Sequence, residues 1–255
     1  MQLIYTFCLY TVVYVLNGVI CLHGEEEYSY SEYPHSLMEK EECGRENSDK
    51  PIYVCDPNRI LKNEDARQLD VLIETVMNET KCHCSADVCS QPSPPGYRIS
   101  VALLKKMKLP EERGTDDQID DDLKLILNEA STFAYQLLKK WKLGRCTDDV
   151  LIFYSVMDGV IYTVTGDEAG KRLDRYTIAD ISMLRRPDLM QDVFKGLRFI
   201  VSDYKSVFLG IYKPLPRQKM PPKYQAVVGG TQNVQYSTLL VTVLTIVIAL
   251  LSTKF

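Results

Sequence analysis

Residues 148–166 read DDVLIFYSVMDGVIYTVTG, and this stretch decides the fold. From residue 149 to residue 156 the sequence is an almost unbroken apolar and β-branched run, which is typical of a strand buried in the middle of a sheet. Asp158 and Gly159 then lead into a second β-rich run at 160–164. Two such runs joined across Asp-Gly are the strongest short-range signal of a β-hairpin. The stretch therefore predicts a buried strand and its antiparallel neighbour.

Helical periodicity lies on both sides of this hairpin. Asn63 is a candidate cap for a helix that carries Leu69, Leu72, Ile73 and Val76 at spacings of three and four. The strongest helix prediction covers residues 119–143, with Gly144 as its stop. Its apolar stripe comprises Leu123, Ile126, Leu127, Ala130, Phe133, Ala134, Leu137, Leu138 and Trp141. This stripe predicts a core position for Trp141. A last long helix is predicted over residues 189–211, again from its periodicity.

Between the first two helices, the alternation at 98–104 predicts a further strand. Strands interleaved with helices indicate an α/β domain whose sheet is covered by helices. The predicted folded domain spans residues 51–212. The preceding residues, 25–50, are rich in Glu, Tyr and Ser and are expected to form an acidic, flexible leader. The four prolines of residues 213–236 indicate a semi-rigid, Pro- and Lys-rich stalk.

The two ends of the chain are its most apolar segments. Residues 1–24 contain no Lys, Arg, Asp or Glu and are interpreted as a cleaved signal peptide, with an uncleaved anchor as the alternative. Residues 237–253 suit a transmembrane helix. Gly229 and Gly230, followed by a polar spacer and this apolar tail, equally suit attachment of a glycolipid (GPI) anchor. Both interpretations place the folded domain outside the cell, tethered to the plasma membrane.

Cysteine usage agrees with an extracellular location. Of the eight cysteines, Cys8 and Cys21 belong to the signal segment, and six remain: Cys43, Cys55, Cys82, Cys84, Cys89 and Cys146. An even number in a secreted domain indicates disulfides, whose connectivity the sequence leaves open. A zinc cluster around Cys82, His83, Cys84 and Cys89 is the alternative, but its C-x-C spacing departs from the usual paired C-x2-C motif. Asn78 opens the one glycosylation sequon, Asn-Glu-Thr.

The residues offer little for catalysis. The three histidines are His23, His35 and His83, so none follows residue 83 to act as a general base, and no catalytic residue is predicted. The formal net charge of −4 makes nucleic acid an unsuitable partner.

The acidic residues around the hairpin have two interpretations. Asp148, Asp149 and Asp174 are candidates to hold a calcium ion, the one cofactor that the loops suggest. The alternative is that such acids cap strands and helices, where the helix dipole favours them. Residues 111–122, EERGTDDQIDDD, fail the helix-loop-helix calcium pattern because Asp121 stands where Gly is required.

Several of these segments together resemble the TPM domain. They are Tyr53-Val54-Cys55-Asp56, Ile60-Leu61 with the helix after it, the strand after Arg98, the run from Phe133 to Gly144 and the 148–166 hairpin. With the extra cysteines, the chain is most similar to the modulator of levamisole receptor family. The resemblance implies a three-layer TPM-like fold, with a mixed sheet covered by helices. It also implies a role as an auxiliary subunit of acetylcholine-gated, levamisole-sensitive channels. Other TPM relatives imply a different function, that of an acid phosphatase or of a calcium-dependent ectohydrolase that uses the hairpin carboxylates. Those relatives carry Asn-Gly where this chain has Asp148-Asp149. A third interpretation is an adhesion protein that uses the fold as a scaffold.

Overall fold

The computed structural model describes residues 27–45, 49–92, 94–110 and 119–214. These residues belong to one compact unit that ends at Pro214. Three predicted segments lie outside the described residues: the signal peptide at 1–24, the stalk beyond residue 214 and the apolar segment at 237–253. Within the described part of the chain, no helix is both long and apolar enough to cross a membrane.

The described residues form short and long elements in alternation. The strands are β1 (Glu27–Tyr28), β2 (Val54–Cys55), β3 (Arg98–Leu104), β4 (Lys106–Met107), β5 (Asp149–Ser155) and β6 (Val160–Thr165). The helices are α1 (Asn63–Glu79), α2 (Ala86–Cys89), α3 (Ile119–Trp141), α4 (Asp167–Gly170), α5 (Arg175–Gln191) and α6 (Val193–Phe208).

The sheet is mixed, as the sequence predicts. Its order is β2-β3-β5-β6, with β2, β3 and β5 parallel and β6 antiparallel to β5. The parallel register pairs Arg98 with Asp149 and Leu104 with Ser155. Across the hairpin, Ser155 pairs with Val160, and Gly159 turns the chain with a φ of 62°. The predicted hairpin and the interior position of the 149–156 run are both confirmed.

Both faces of β5 are buried, and every residue of the strand is buried. Because side chains alternate along a strand, Val150, Ile152 and Tyr154 face one layer, and Leu151 and Phe153 face the other. The first layer contains α1, α5 and α6, and the second contains α3. A fully buried Leu, Ile or Phe side chain contributes about 1.5–3 kcal/mol. The sheet is therefore stable only with helices on both sides.

Two predicted helix ends differ in detail from the structure. α1 begins at Asn63 itself, and Lys62 takes the cap position without a side-chain hydrogen bond. α3 ends at Trp141, where Lys142 adopts the left-handed conformation (φ 46°) and stops the helix ahead of Gly144. The buried part of the predicted stripe begins at Ala130, since Leu123 is 48% exposed. Trp141 is a core residue, as expected.

The predicted last helix is in fact two helices. Residues 175–191 form α5, which the sequence analysis missed, and the chain breaks at Asp192, whose side chain accepts a hydrogen bond from the N–H of Lys195 to cap α6. α5 escaped prediction because only Ile181 and Leu189 of its residues are buried, which leaves no clear stripe. Leu189 packs so tightly on Gly196 that a Cβ there would lie 2.6 Å from it. Leu189 therefore continues the apolar periodicity of α6 in the sequence, although it belongs to α5.

The acidic leader differs most from its prediction. Tyr33 is fully buried, and its hydroxyl lies 2.8 Å from the carbonyl oxygen of Cys55 and 2.9 Å from that of Leu103, so its one proton bridges β2 and β3. Trp141 of α3 donates from Nε1 to the carbonyl of Pro34 at 3.1 Å. Residues 27–45 therefore cover the α3 side of the sheet as part of the folded unit. Composition suggested flexibility because Leu37 and Met38 are the only acyclic aliphatic or thioether side chains of this segment, and both are exposed. The segment instead buries the apolar side chains of Tyr33 and Cys43.

Two further links fasten the leader to the rest of the domain. Cys43 forms a disulfide with Cys55 of β2. Arg45 forms a buried ion pair with Asp70 of α1, with side-chain exposures of 6% and 11%. The other carboxylate oxygen of Asp70 accepts the backbone N–H groups of Tyr53 at 2.8 Å and Val54 at 3.0 Å. One carboxylate thus joins leader, strand and helix.

We expect Arg45→Met to lower the free energy of unfolding by about 3 kcal/mol at neutral pH, because it leaves a buried carboxylate without its counter-charge. Burial raises the pKa of Asp70 to about 6 even beside Arg45. Removing the guanidinium raises this pKa further, and a carboxyl with a raised folded-state pKa gains stability as the pH falls. The variant's carboxyl therefore takes up its proton at a higher pH than the wild-type carboxyl, so the loss in urea unfolding should shrink as the pH falls toward about 6 and stay constant below that pH, where both carboxyls are protonated.

Arg67→Met is the matched control for this experiment. Arg67 pairs with Glu64 at 2.6 Å, but their side chains are 68% and 62% exposed. An exposed pair contributes less than about 1 kcal/mol. Equal losses in the two variants, or a loss in Arg45→Met that grows on acidification, would contradict the role given to the buried pair.

Candidate functional site at the start of the central strand

The turn between α3 and β5, residues 142–148, and the first residue of β5 contain two of the three predicted calcium residues, Asp148 and Asp149. The turn contains two non-glycine residues with positive φ, Lys142 at 46° and Thr147 at 62°. Such conformations persist only where surrounding contacts hold them. The contacts that do so involve the two adjacent aspartates, Asp148 and Asp149.

Asp148 is 2% exposed and is held by Arg145. Its Oδ1 accepts the backbone N–H of Arg145 at 2.7 Å, and its Oδ2 lies 3.0 Å from Nη2 of the same residue. The guanidinium also donates to the carbonyl of Pro95, at the start of the segment that leads into β3. Arg145, which the sequence analysis did not name, therefore neutralises Asp148 and ties the turn to the neighbouring loop.

Disulfides complete this attachment. Cys84 pairs with Cys146 of the turn, and Cys82 pairs with Cys89. With Cys43–Cys55, all six predicted disulfide cysteines are paired. The zinc alternative is wrong, because the Cys82, Cys84 and Cys89 thiolates that it needs are oxidised.

Asp149 occupies a cradle formed by two glycines. Its Oδ2 accepts the N–H of Gly144 at 3.2 Å. A Cβ on Gly144 would lie 2.7 Å from the carboxylate, and one on Gly166 would lie 2.6 Å from Oδ1. Burial raises the pKa of Asp149, with the Gly144 N–H acting in the opposite direction. The carboxylate of Asp149 lies so close to both backbones that only glycine fits at positions 144 and 166. This requirement explains the glycine that follows the end of α3.

A cavity of about 810 Å³ opens beside Asp149. Its walls come from the end of α3, the turn and the start of α4, and include Tyr135, Lys139, Lys142, Gly144, Asp149 and Asp167. Lys139 already places its Nζ 4.4 Å from the centre of the Tyr135 ring. The lining carries charges of both signs and contains no histidine.

The start of α4 is closed to anions. The backbone N–H groups of Glu168 and Ala169 donate to the carbonyl of Thr147 at 3.1 and 3.2 Å. Asp167 and Glu168 add negative charge to this first turn. A helix start binds phosphate through free N–H groups. The contacts and the charge therefore make the helix start after Gly166 unsuited to a phosphate substrate.

The predicted calcium residues are not brought together. Asp174 caps α5 by accepting the N–H of Thr177 at 2.8 Å, and this bond lowers its pKa. The nearest approach to a metal cluster among the described residues is Cys84, Cys146 and Asp148, whose two sulfurs form a disulfide. Asp158 of the hairpin accepts the N–H of Met107 at 2.8 Å. Capping and bracing account for these carboxylates.

The remaining predicted sites lie apart from this turn. Asn78 is exposed in the last turn of α1, as a glycosylation site must be. Thr80 of the same sequon is buried, donates to the carbonyl of Val76 and accepts the N–H of Tyr97. Gly229 and Gly230 lie outside the described residues.

The family is decided by sequence comparison. A sequence model described as Modulator of levamisole receptor-1 matches residues 28–159, more than half of the chain. The chain belongs to this family. The match begins in the leader, which packs on the core, and ends at Gly159 in the hairpin turn. It therefore covers most of the sheet of this member of the modulator of levamisole receptor-1 family. The resemblance seen in the sequence is confirmed.

Two bacterial proteins with structures solved by NMR are similar to this chain over most of their own length. One is the N-terminal domain of a P. gingivalis protein, 14% identical, covering 72% of this chain and 93% of its own with a TM-score of 0.47. The other is the BA42 protein of the psychrophilic Bizionia argentinensis, 13% identical, covering 65% and 92% with a TM-score of 0.38. No curated protein matches the chain significantly.

The two disulfides near the turn should differ in their effect on stability. Cys84–Cys146 spans 62 residues and Cys82–Cys89 spans 7. Because a longer loop restricts the unfolded chain more, the Cys84→Ala/Cys146→Ala double variant should lose about 4 kcal/mol of unfolding free energy. The Cys82→Ala/Cys89→Ala variant should lose about 2 kcal/mol. Denaturant unfolding measures both, and a larger loss for the shorter loop would refute the assignment of the turn's stability to its cross-link.

Proposed function

We propose that this chain is a membrane-tethered extracellular auxiliary subunit of acetylcholine-gated, levamisole-sensitive receptor channels. The match of residues 28–159 to the modulator of levamisole receptor-1 family carries this proposal. In this role the domain binds the outer part of a channel and changes its response to agonist, while the C-terminal segment keeps it at the membrane. The partner is then a ligand-gated channel subunit.

The three disulfides support the extracellular part of the proposal. Such bonds persist in secreted and cell-surface proteins and are rare in the cytosol. Export would use residues 1–24 as a signal peptide. Tethering would use residues 237–253, either as a transmembrane helix or as the tail that is exchanged for a GPI anchor at Gly229 or Gly230.

A binding role suits the site better than hydrolysis does. The hydrolase alternative needs hairpin carboxylates that are open to a substrate and a metal ion. Asp148 is bound to Arg145, and Asp149 is enclosed by Gly144 and Gly166. The buried, raised-pKa carboxyl of Asp149 beside a cavity is the one observation that favours chemistry here. However, Asp149 also accepts a hydrogen bond from the backbone of Gly144, and this structural role explains why its carboxyl is buried.

Coexpression with acetylcholine receptor subunits tests the channel role. We expect the full chain to change the amplitude of acetylcholine-evoked currents and to copurify with the receptor. A chain that ends at residue 236 is the matched control. Without its tether it loses the high effective concentration that a membrane anchor provides, so its effect should be weaker at equal expression. Unchanged currents together with no copurification would end the proposal.

The topology has its own test, in which Asn78→Gln is the informative variant. We expect the wild-type chain to carry an N-linked glycan and Asn78→Gln to migrate as the deglycosylated protein on gels. Substituting Thr80 instead would confuse the result, because its two buried hydrogen bonds are worth about 1 kcal/mol each.

Release of the chain from intact cells by phosphatidylinositol-specific phospholipase identifies a GPI anchor, and retention identifies the transmembrane helix. A cytosolic, unglycosylated chain would exclude the proposed topology.

A further inference from the structure

The acidic leader contains a motif that the proposed function does not use. Residues 25–33 read EEEYSYSEY, with three tyrosines among four glutamates. Tyrosines in such acidic surroundings are the substrates of the luminal enzymes that transfer sulfate, because the acidic neighbours bind a positively charged enzyme surface. The structure discriminates among the three phenols, since a modified phenol must reach solvent.

Tyr33 is closed to modification. It is 0% exposed, and its hydroxyl is shared between the carbonyl oxygens of Cys55 and Leu103. Its ring also packs edge-on against Phe133 and lies tilted against Trp141. A sulfate on this oxygen would occupy the interior of the domain.

Tyr28 is a core-facing residue of β1. Its backbone pairs with Met107 of β4, and its ring stands edge-on to that of Tyr33 at 5.7 Å. The ring is partly buried and packs against the same hydrophobic cluster as Tyr33. It is therefore held by the fold at both backbone and ring.

Tyr30 differs from both neighbours. Tyr30 lies in a turn and is 43% exposed. Its ring is nearly perpendicular to that of Phe133, with the two ring centroids 6.5 Å apart. Glu27 and Glu32 lie in the same exposed segment, with side chains that are each 45% exposed. The phenol that the fold leaves open is thus also the one between the acidic residues.

We propose that Tyr30 is O-sulfated, which rests on the export assumed in the proposed function. The phenolic oxygen attacks the sulfur of a nucleotide phosphosulfate donor, the S–O bond to the donor phosphate breaks, and a new S–O bond forms to Tyr30. The phenolic proton passes to a base of the transferring enzyme, and the nucleotide leaves as its phosphate. No atom changes oxidation state.

Sulfation changes what this surface can bind. A sulfate ester is charged at every physiological pH and presents several strong acceptor oxygens. Groups of this kind form charge-assisted hydrogen bonds with arginine clusters. Glu27 and Glu32 already pair with Lys106 and Lys108. The sulfate on Tyr30 therefore adds an unpaired negative charge to this surface, which a basic patch on a partner protein can bind.

Radioactive sulfate labelling of the full chain tests the proposal. The chain is expressed in animal cells that secrete sulfated proteins, in an Asn78→Gln background so that no N-linked glycan carries label. Tyr30→Phe keeps the ring contact with Phe133 and removes only the acceptor oxygen, so the fold should be unaffected. Tyr28→Phe is the matched control at the neighbouring tyrosine.

We expect label in the parent chain and in Tyr28→Phe, and loss to background in Tyr30→Phe and in cells treated with chlorate. Surface biotinylation reports export separately. A chain that reaches the surface unlabelled, or label that survives in Tyr30→Phe, overturns sulfation of Tyr30 and leaves the channel role standing. A chain that never reaches the surface overturns both. The sulfur isotope distinguishes the sulfate ester from a phosphate ester.

Discussion

The double-sided burial of β5 is the constraint on which the rest of this domain depends. The strand lies between β3 and β6, and each of its residues is buried. A strand of this kind has no solvent face, so the chain must supply an apolar layer on each side. α1, α5 and α6 form one layer, and α3 forms the other. The order of helices and strands along the chain follows from this requirement.

The leader completes the second layer, because α3 alone does not cover the sheet. Tyr33 fills the space between α3 and the sheet and satisfies backbone carbonyls of two strands with one hydroxyl. The disulfide of Cys43 with Cys55 and the ion pair of Arg45 with Asp70 then fix the segment to the strand and helix behind it. A segment with little aliphatic content is thereby ordered through specific links, which reduce the entropic cost of holding it in place.

The turn before β5 illustrates how functional and structural signals converge. A buried carboxyl with a raised pKa beside a cavity is a frequent mark of an active site. Here, Asp149 gains its burial from two glycines, and Asp148 gains its charge partner from Arg145. The same residues hold two strained backbone conformations and the Cys84–Cys146 link in place. The burial and the charge pairing at this turn therefore have a structural explanation.

The sequence by itself determined the hairpin, the strand at 98–104 and the positions of α1 and α3, because strong periodicity and a short turn act locally. It also identified the family and the six disulfide cysteines. Only the tertiary structure decided the disulfide pairing, the separation of α5 from α6, the place of the leader and the partners of the aspartates. Those features depend on contacts between residues far apart in the chain, such as Cys84 with Cys146 and Tyr33 with Leu103. Local patterns carry no information about such contacts, because the energy that selects them arises only when the layers pack together.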